Sequence, residues 1–222
     1  MRPANGWYQE NWDPDFSCGL EDSVGGMRDG HKWVCDPHRL RDKPDCLVYS
    51  FGSNNQFDFE KGLSTILPHC EIHIFDPVDY SKHMVDFGFH HATYHSWGLK
   101  TSYETNLAGT SVFTPDEKLQ GLAFKTLQQT MQELGHVGRR VDIFKIDCEG
   151  CEWQTYRDWF EADLRQILVE THLTCSSTPS FFQELHDNGY VIFHKEPNIQ
   201  YCKGECVEFS FLKLEKEYFL GV

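Results

Sequence analysis

Three short, nearly unbroken apolar runs dominate the pattern of this chain: residues 46–51, 72–75 and 141–146. Each stops abruptly, the first at Gly52, the second at Asp76-Pro77 and the third at Asp147-Cys148-Glu149-Gly150. Runs of this kind mark strands buried on both faces of a parallel sheet, whose carboxyl ends open onto a ligand crevice. Between them the period changes from two to about 3.6. Residues 58–67 read as a helix ended by Pro68, and residues 79–87 as another ended by Gly88. Residues 92–98 read as a further strand with its turn. Thr114-Pro115-Asp116-Glu117 has the form of a capping box, and Leu119, Leu122, Ala123, Leu127, Met131 and Leu134 follow at helical spacing as far as Gly135.

The second half repeats the alternation. From Glu152 a helix presents Trp153, Tyr156, Trp159 and Phe160, which read as core rather than as a substrate cage. Residues 166–170 form a strand, and Thr178-Pro179 opens a helix that stops at Asn188-Gly189. Residues 190–195 and 207–214 read as two closing strands. Strand and helix in alternation predict an α/β fold around a mostly parallel sheet.

The turn after the first strand discriminates between nucleotide cofactors. Gly52 frees the backbone to turn, and Asp76 stands 24 residues later at the end of the next strand, where a carboxylate accepts hydrogen bonds from the hydroxyls of an adenosine ribose. Capping the next helix is the competing reading of Asp76. A dinucleotide pyrophosphate requires bare backbone in this turn, whereas here Ser53, Asn54, Asn55 and Gln56 follow a single glycine. The loop therefore favours S-adenosylmethionine, which carries no phosphate, over NAD.

Phe51-Gly52-Ser53-Asn54, Ile74-Phe75-Asp76-Pro77, Phe144-Lys145-Ile146-Asp147-Cys148-Glu149-Gly150-Cys151-Glu152 and Leu168-Val169-Glu170-Thr171-His172 together resemble the FkbM-like, methyltransferase-21 group of class I S-adenosylmethionine-dependent methyltransferases. Gly30-His31-Lys32-Trp33-Val34-Cys35-Asp36-Pro37 is similar to the lead-in of the methyltransferase-like 24 subgroup. The resemblance implies a Rossmann-like, seven-stranded sheet of order 3-2-1-4-5-7-6 with strand 7 antiparallel. It also implies cofactor contacts from Phe51, Gly52, Ser53, Asn54, Asp76, Pro77 and Asp147, with Trp97 and Gly98 bordering the adenine. The acid usual two places before the first glycine is replaced by Ser50, so Glu60 or Asp147 is expected to hold the methionine amino group instead.

Catalytic candidates lie at the ends of the fourth and fifth strands. Asp147, Glu149 and His172 are expected to converge there, with His172 as the base because an unperturbed imidazole titrates near neutral pH. Lys145 lies on the same side of its strand as Asp147, and Glu170 on the adjacent strand is its expected structural partner. FkbM-like relatives imply O-methylation of a sugar or small hydroxylated acceptor. N-methylation of a protein or small amine, a non-catalytic scaffold of the same fold and a nucleotide-binding oxidoreductase are the alternatives.

Composition refines this picture. The 222 residues suffice for one core, so residues 45–222 are expected to form the methyltransferase domain and the aromatic-rich residues 1–44 an arm or lid. Thirty-four acids against twenty bases give a net charge of −14, which opposes a nucleic-acid partner. No run approaches the roughly 18 apolar residues of a membrane span, and oligomeric state is not legible. Nine cysteines suit an oxidising compartment, while the absence of an N-x-[ST] sequon and of an apolar leader suits the cytoplasm, leaving the two evenly balanced. Cys46 and Cys70 fall at equal offsets from Gly52 and Asp76, as either a disulfide or two small buried residues; Cys18 with Cys35 and Cys202 with Cys206 are further candidate pairs. Cys148, Cys151, His172 and Cys175 make an acceptable tetrahedral zinc set. Because Cys148 and Cys151 flank residues needed for the cofactor, neither a metal nor a redox pair is expected there.

Overall fold

The computed structural model describes residues 4–26, 30–102, 121–173 and 177–215. Its strands are β1 (Glu21–Val24), β2 (Lys32–Cys35), β3 (Leu47–Phe51), β4 (Glu71–Phe75), β5 (Ala92–His95), β6 (Gly98–Leu99), β7 (Phe124–Lys125), β8 (Val141–Ile146), β9 (Leu164–His172), β10 (Tyr190–Asn198) and β11 (Cys206–Lys213). Its α-helices are α1 (Ala4–Glu10), α2 (Asp58–Ile66), α3 (Ser81–Asp86), α4 (Leu127–Glu133), α5 (Glu152–Trp159), α6 (Thr178–Asp187) and α7 (Ile199–Cys202).

Seven strands form one sheet in the order β10-β11-β9-β8-β3-β4-β5. Neighbours from β5 through β9 run parallel, and β11 is antiparallel to both β9 and β10. Numbered by the seven strands alone, this is the expected order 3-2-1-4-5-7-6. Alternation along β3 sends Tyr49 and Phe51 into one core with Phe144, Trp159, Phe181 and Phe209, and Val48 into the other with Ile72, Ile74 and Leu63. Each face of the sheet is thereby covered, which is why every residue of β3 and β8 is buried. Trp153, Tyr156 and Trp159 of α5 belong to the first core, as their helical spacing predicts.

Two local expectations are revised. The helix ending at Gly135 begins only at Leu127, because Thr126 and Gln129 form a capping box: the Gln129 amide donates to Thr126 Oγ1 at 3.1 Å, and the Thr126 amide donates to Gln129 Oε1 at 3.0 Å. Phe124 and Lys125 pair instead with Gly98 and Leu99 as strands. The capping box read at Thr114–Glu117 lies outside the described residues. The N-terminal segment packs along the sheet. Its β1-β2 hairpin is tied to β9 by a reciprocal pair, the Cys35 amide donating to Gln166 Oε1 and Gln166 Nε2 donating to the Cys35 carbonyl, both at 2.9 Å. Tyr8 of α1 is buried in the first core and its hydroxyl donates to the Leu173 carbonyl at 3.1 Å.

Disulfides join Cys18 to Cys35, Cys46 to Cys70, Cys148 to Cys151 and Cys202 to Cys206. The third joins two cysteines for which no redox pairing was expected. Glu149 and Gly150 take positive φ, 56° and 107°, curling the chain until the two sulfurs meet. With these sulfurs bonded to each other, the four-residue zinc set is not assembled; its fourth member, Cys175, lies outside the described residues.

Candidate functional site

A cavity of about 870 Å³ opens above the carboxyl ends of the parallel strands. Phe51, Gly52, Ser53 and Asn54 line it from the turn after β3, Asp76 and Pro77 from the end of β4, and Gly98 and Leu99 from β6. Lys145, Asp147, Cys148 and Glu149 contribute from β8, and Glu170 from β9. The volume sits toward the upper end of the roughly 300–1,000 Å³ usual for ligand sites, enough for a nucleoside-sized cofactor with an acceptor beside it.

Gly52 is fixed by contact as well as by conformation. Its φ is +77°, and a Cβ there would lie 1.7 Å from the Asp147 carbonyl oxygen. The glycine thus lets the turn after β3 touch the end of β8. Asp76 holds this turn: its Oδ2 accepts from the amides of Ser53 at 3.0 Å and Asn54 at 2.8 Å, while Oδ1 accepts from the Val78 amide at 2.9 Å. Lys145 Nζ reaches across to donate to the Gly52 carbonyl at 2.5 Å. The expected Lys145–Glu170 pairing gives way to this contact because β8 lies between β3 and β9, and Lys145 turns toward β3.

The side of the cavity formed by α2 has its own acid. Glu60 on α2 is buried beside the cavity, accepts the Ser50 hydroxyl through Oε1, and has no hydrogen-bond partner for Oε2 among the described residues. A buried, unsatisfied carboxylate oxygen is costly unless a ligand donor reaches it. Ser50 and Glu60 thus offer a carboxylate oxygen near the strand position that carries no acid, and the residues present fit an aminoacyl-bearing cofactor.

Around Asp147 lies a buried ionic cluster that sequence reasoning missed in its central member. Lys32, from β2, is almost wholly buried and donates to Glu208 Oε1 at 2.6 Å and to Asp147 Oδ2 at 3.2 Å. Burial works to lower the pKa of Lys32, but Glu208, Asp147 and Glu170 outweigh it and hold the ammonium well above its ordinary value. Burial alone would raise Asp147; Lys32, then Lys145 and His172, instead keep it well below the ordinary carboxylate range. Glu170 goes the other way: burial, then the charges of Asp147 and Glu208, push it up to about 8. In the sequence Lys32 stood only within the Gly30–Pro37 lead-in of a segment read as an arm, and nothing there pointed to Asp147.

His172 does converge on Asp147 and Glu149, as expected, but its environment changes its charge. Its Nδ1 lies 3.2 Å from Glu152 Oε1, and its Nε2 lies 3.3 Å from Glu149 Oε2 and 3.5 Å from Glu170 Oε2. Burial opposes protonation, but the hydrogen bond and charge of Glu152, then Glu170 and Asp147, raise the imidazole to about 9. His172 is therefore a cation at neutral pH, and it is not among the residues lining the cavity. Trp97 also stands back from the lining: its Nε1 donates to Thr130 Oγ1 at 3.2 Å and Lys125 Nζ sits 3.7 Å from the ring centroid, while its neighbour Gly98 faces the cavity.

A 3-2-1-4-5-7-6 sheet with a glycine turn after its first strand, an acid at the end of its second and an unpartnered carboxylate oxygen among the described residues, all around one cavity, defines a class I S-adenosylmethionine-dependent methyltransferase domain. A family described as a methyltransferase domain matches residues 1–213, and the chain belongs to it. The chain is similar to probable methyltransferase-like protein 24 of Homo sapiens, 26% identical over 141 residues, and of Rattus norvegicus, 26% identical over 143 residues. Each alignment covers 61% of this chain and 35% of the relative, so the chain spans only part of those proteins. Among solved structures, the fibrillarin pre-rRNA processing protein of Methanococcus jannaschii has a TM-score of 0.47 at 10% identity, covering 91% of this chain and 86% of that one. Precorrin-6y C5,15-methyltransferase of Geobacter metallireducens has a TM-score of 0.43 at 12% identity, covering 80% and 85%.

Proposed function

We propose that the domain methylates a hydroxyl oxygen of a small acceptor or glycan. S-adenosylmethionine, when bound, supplies an activated methyl group. Gly52, Ser53, Asn54 and Asp76 hold its adenosine moiety, and Glu60 its amino group. The observation that carries the O-methylation reading is Glu170, which lines the cavity beside Asp147 and whose pKa is pushed up to about 8.

An attacking hydroxyl must lose its proton as the new bond forms, and a carboxylate titrating near the working pH removes it best. Glu170 is held for that task by Asn198, whose Nδ2 donates to Glu170 Oε1 at 2.9 Å. We assign Asp147, ionised and anchored by Lys32, the orientation of the acceptor hydroxyl. His172, as an imidazolium 3.5 Å from Glu170, favours the ionised, proton-accepting form of that carboxylate rather than serving as the base itself. Glu149, largely exposed, closes the rim beside His172. Carboxylates from Asp58, Glu60, Asp76, Asp147, Glu149 and Glu170 line the cavity against only Lys100 and Lys145 among the described residues, which supports a neutral acceptor over a phosphate-bearing one.

The test is methyl transfer from labelled S-adenosylmethionine to a panel of glycans, phenols, amines and oligonucleotides, repeated with Glu170→Gln. The expected result is turnover on a hydroxylated acceptor that falls about 10²–10⁴-fold in the variant while cofactor affinity stays within about threefold. Turnover confined to amines or nucleic acid, or unchanged in Glu170→Gln, would discard the reading.

A further inference from the structure

The geometry points to a second site, for a zinc-class divalent cation, formed by Glu71, His73 and His136 on the far side of β4 from the cofactor turn. His73 Nε2 lies 3.0 Å and His136 Nε2 lies 3.2 Å from the same oxygen, Glu71 Oε1, and the three potential ligand atoms all lie within 4.8 Å of one another. For ligand bonds of about 2.0–2.1 Å, the edge of a tetrahedron around a metal is about 3.3–3.4 Å. The side chains therefore already stand close to the spacing of a coordinated set.

The surroundings have the form that metal-binding imidazoles require. Each ring has its second nitrogen engaged by another group, His73 Nδ1 by His95 Nε2 at 2.8 Å and His136 Nδ1 by the Tyr49 hydroxyl at 2.7 Å. These contacts fix the ring planes and aim both Nε2 atoms at one point. Arg139 Nη1 donates to Glu71 Oε2 at 2.8 Å, holding the carboxylate so that only Oε1 faces the imidazoles. His73 and His136 are buried, whereas the Glu71 side chain is 45% exposed, leaving an entry path and room for water as a fourth ligand.

Binding asks only for a shift of tautomer. In the metal-free arrangement each Nε2–H donates to Glu71. With the ion present, the proton moves to Nδ1 of each ring, so that His136 donates to Tyr49, whose own O–H turns away, and His73 donates to His95, whose proton moves from Nε2 to its Nδ1; both Nε2 lone pairs then turn to the cation. Imidazole and carboxylate together suit zinc rather than magnesium or calcium, which take oxygen ligands. Glu71 opens β4 and Asp76 follows its end, so the two sites stand apart by roughly the 16 Å length of a five-residue strand. None of the three ligands lines the cofactor cavity. The ion would tie the start of β4 to the turn after α4, as a structural clamp.

The test is calorimetric titration of zinc into chelator-treated, disulfide-intact protein, with thermal unfolding in parallel and cobalt as a spectroscopic probe. One zinc per chain, a raised melting temperature that magnesium does not reproduce, and the visible bands of four-coordinate cobalt are expected. Glu71→Gln and His136→Gln should each weaken zinc at least tenfold and leave S-adenosylhomocysteine affinity within about twofold. Glu71→Gln alters a half-exposed position and keeps the test available should the buried histidine variant fail to fold. Absence of saturable zinc binding, or wild-type zinc affinity in either folded variant, overturns the assignment.

Discussion

The ammonium of Lys32 lies 3.2 Å from the carboxylate of Asp147, joining two residues 115 positions apart at the floor of the cofactor cavity. The contact makes the N-terminal hairpin part of the site, because the largest of the charges that keep Asp147 ionised comes from β2, ahead of Lys145 and His172 on the parallel sheet. Removing it should leave Glu208 buried without its hydrogen-bonded counter-ion and deprive Asp147 of its strongest cationic partner. Lys32→Met is expected to destabilise the fold by about 3–5 kcal/mol. Urea unfolding measures this, and adding Glu208→Gln to the variant should recover part of the loss. An unchanged midpoint in Lys32→Met would show that the pair contributes nothing.

Asp76 holds the amides of Ser53 and Asn54, so it shapes the turn in addition to the ribose contact proposed for it. Asp76→Ala should lower affinity for S-adenosylmethionine at least tenfold, the scale of about 1.5–3 kcal/mol for a hydrogen bond to a charged group. Calorimetry gives the answer directly. Wild-type affinity would separate Asp76 from the cofactor.

Glu170 and His172 should make stability fall as pH rises from about 6.5 to 9, whereas below 6.5 the imidazoles of His73, His95 and His136, held under their ordinary value by burial, act in the opposite sense. The folded pKa of Glu170 is raised to about 8 from its ordinary 4.5, so above 4.5 the unfolded chain ionises this group while the folded chain still resists. The folded pKa of His172 is raised to about 9 from 6.5, so its stabilisation is complete below 6.5 and lost as pH passes 9. Both act in the same direction. Melting temperatures across this range should flatten below pH 8 in Glu170→Gln; a slope identical to wild type would contradict the assigned shift.

Peptide mapping of unreduced protein should recover Cys18 with Cys35, Cys46 with Cys70, Cys148 with Cys151 and Cys202 with Cys206. Replacing Cys46 and Cys70 together by alanine should cost about 3 kcal/mol, the chain-entropy scale for the sequence separation of 24 that this bridge spans. Alkylated free thiols at both positions in material from an oxidising preparation would refute the pair.

By itself the sequence determined the buried strands and the glycine and acids at their ends, while their order in the sheet came from the family resemblance. Unbroken apolar runs at β3, β4 and β8 can be buried only in the middle of a parallel sheet, and Gly52 and Asp76 stand where such strands stop. These are local matters: solvation sets the period of a strand, and backbone freedom sets the turn. The charge state of each catalytic candidate was not local. His172 is an ordinary imidazole in the sequence, and becomes a cation because folding places Glu152, Glu149 and Glu170 around its ring where water is excluded. Lys32 passes for one more surface lysine until β2 carries it beneath Asp147 and Glu208. Glu71, His73 and His136 likewise come from two segments that meet only when β4 packs beside the turn after α4. Coulomb forces between buried groups depend on distance and desolvation, and both are properties of the assembled chain.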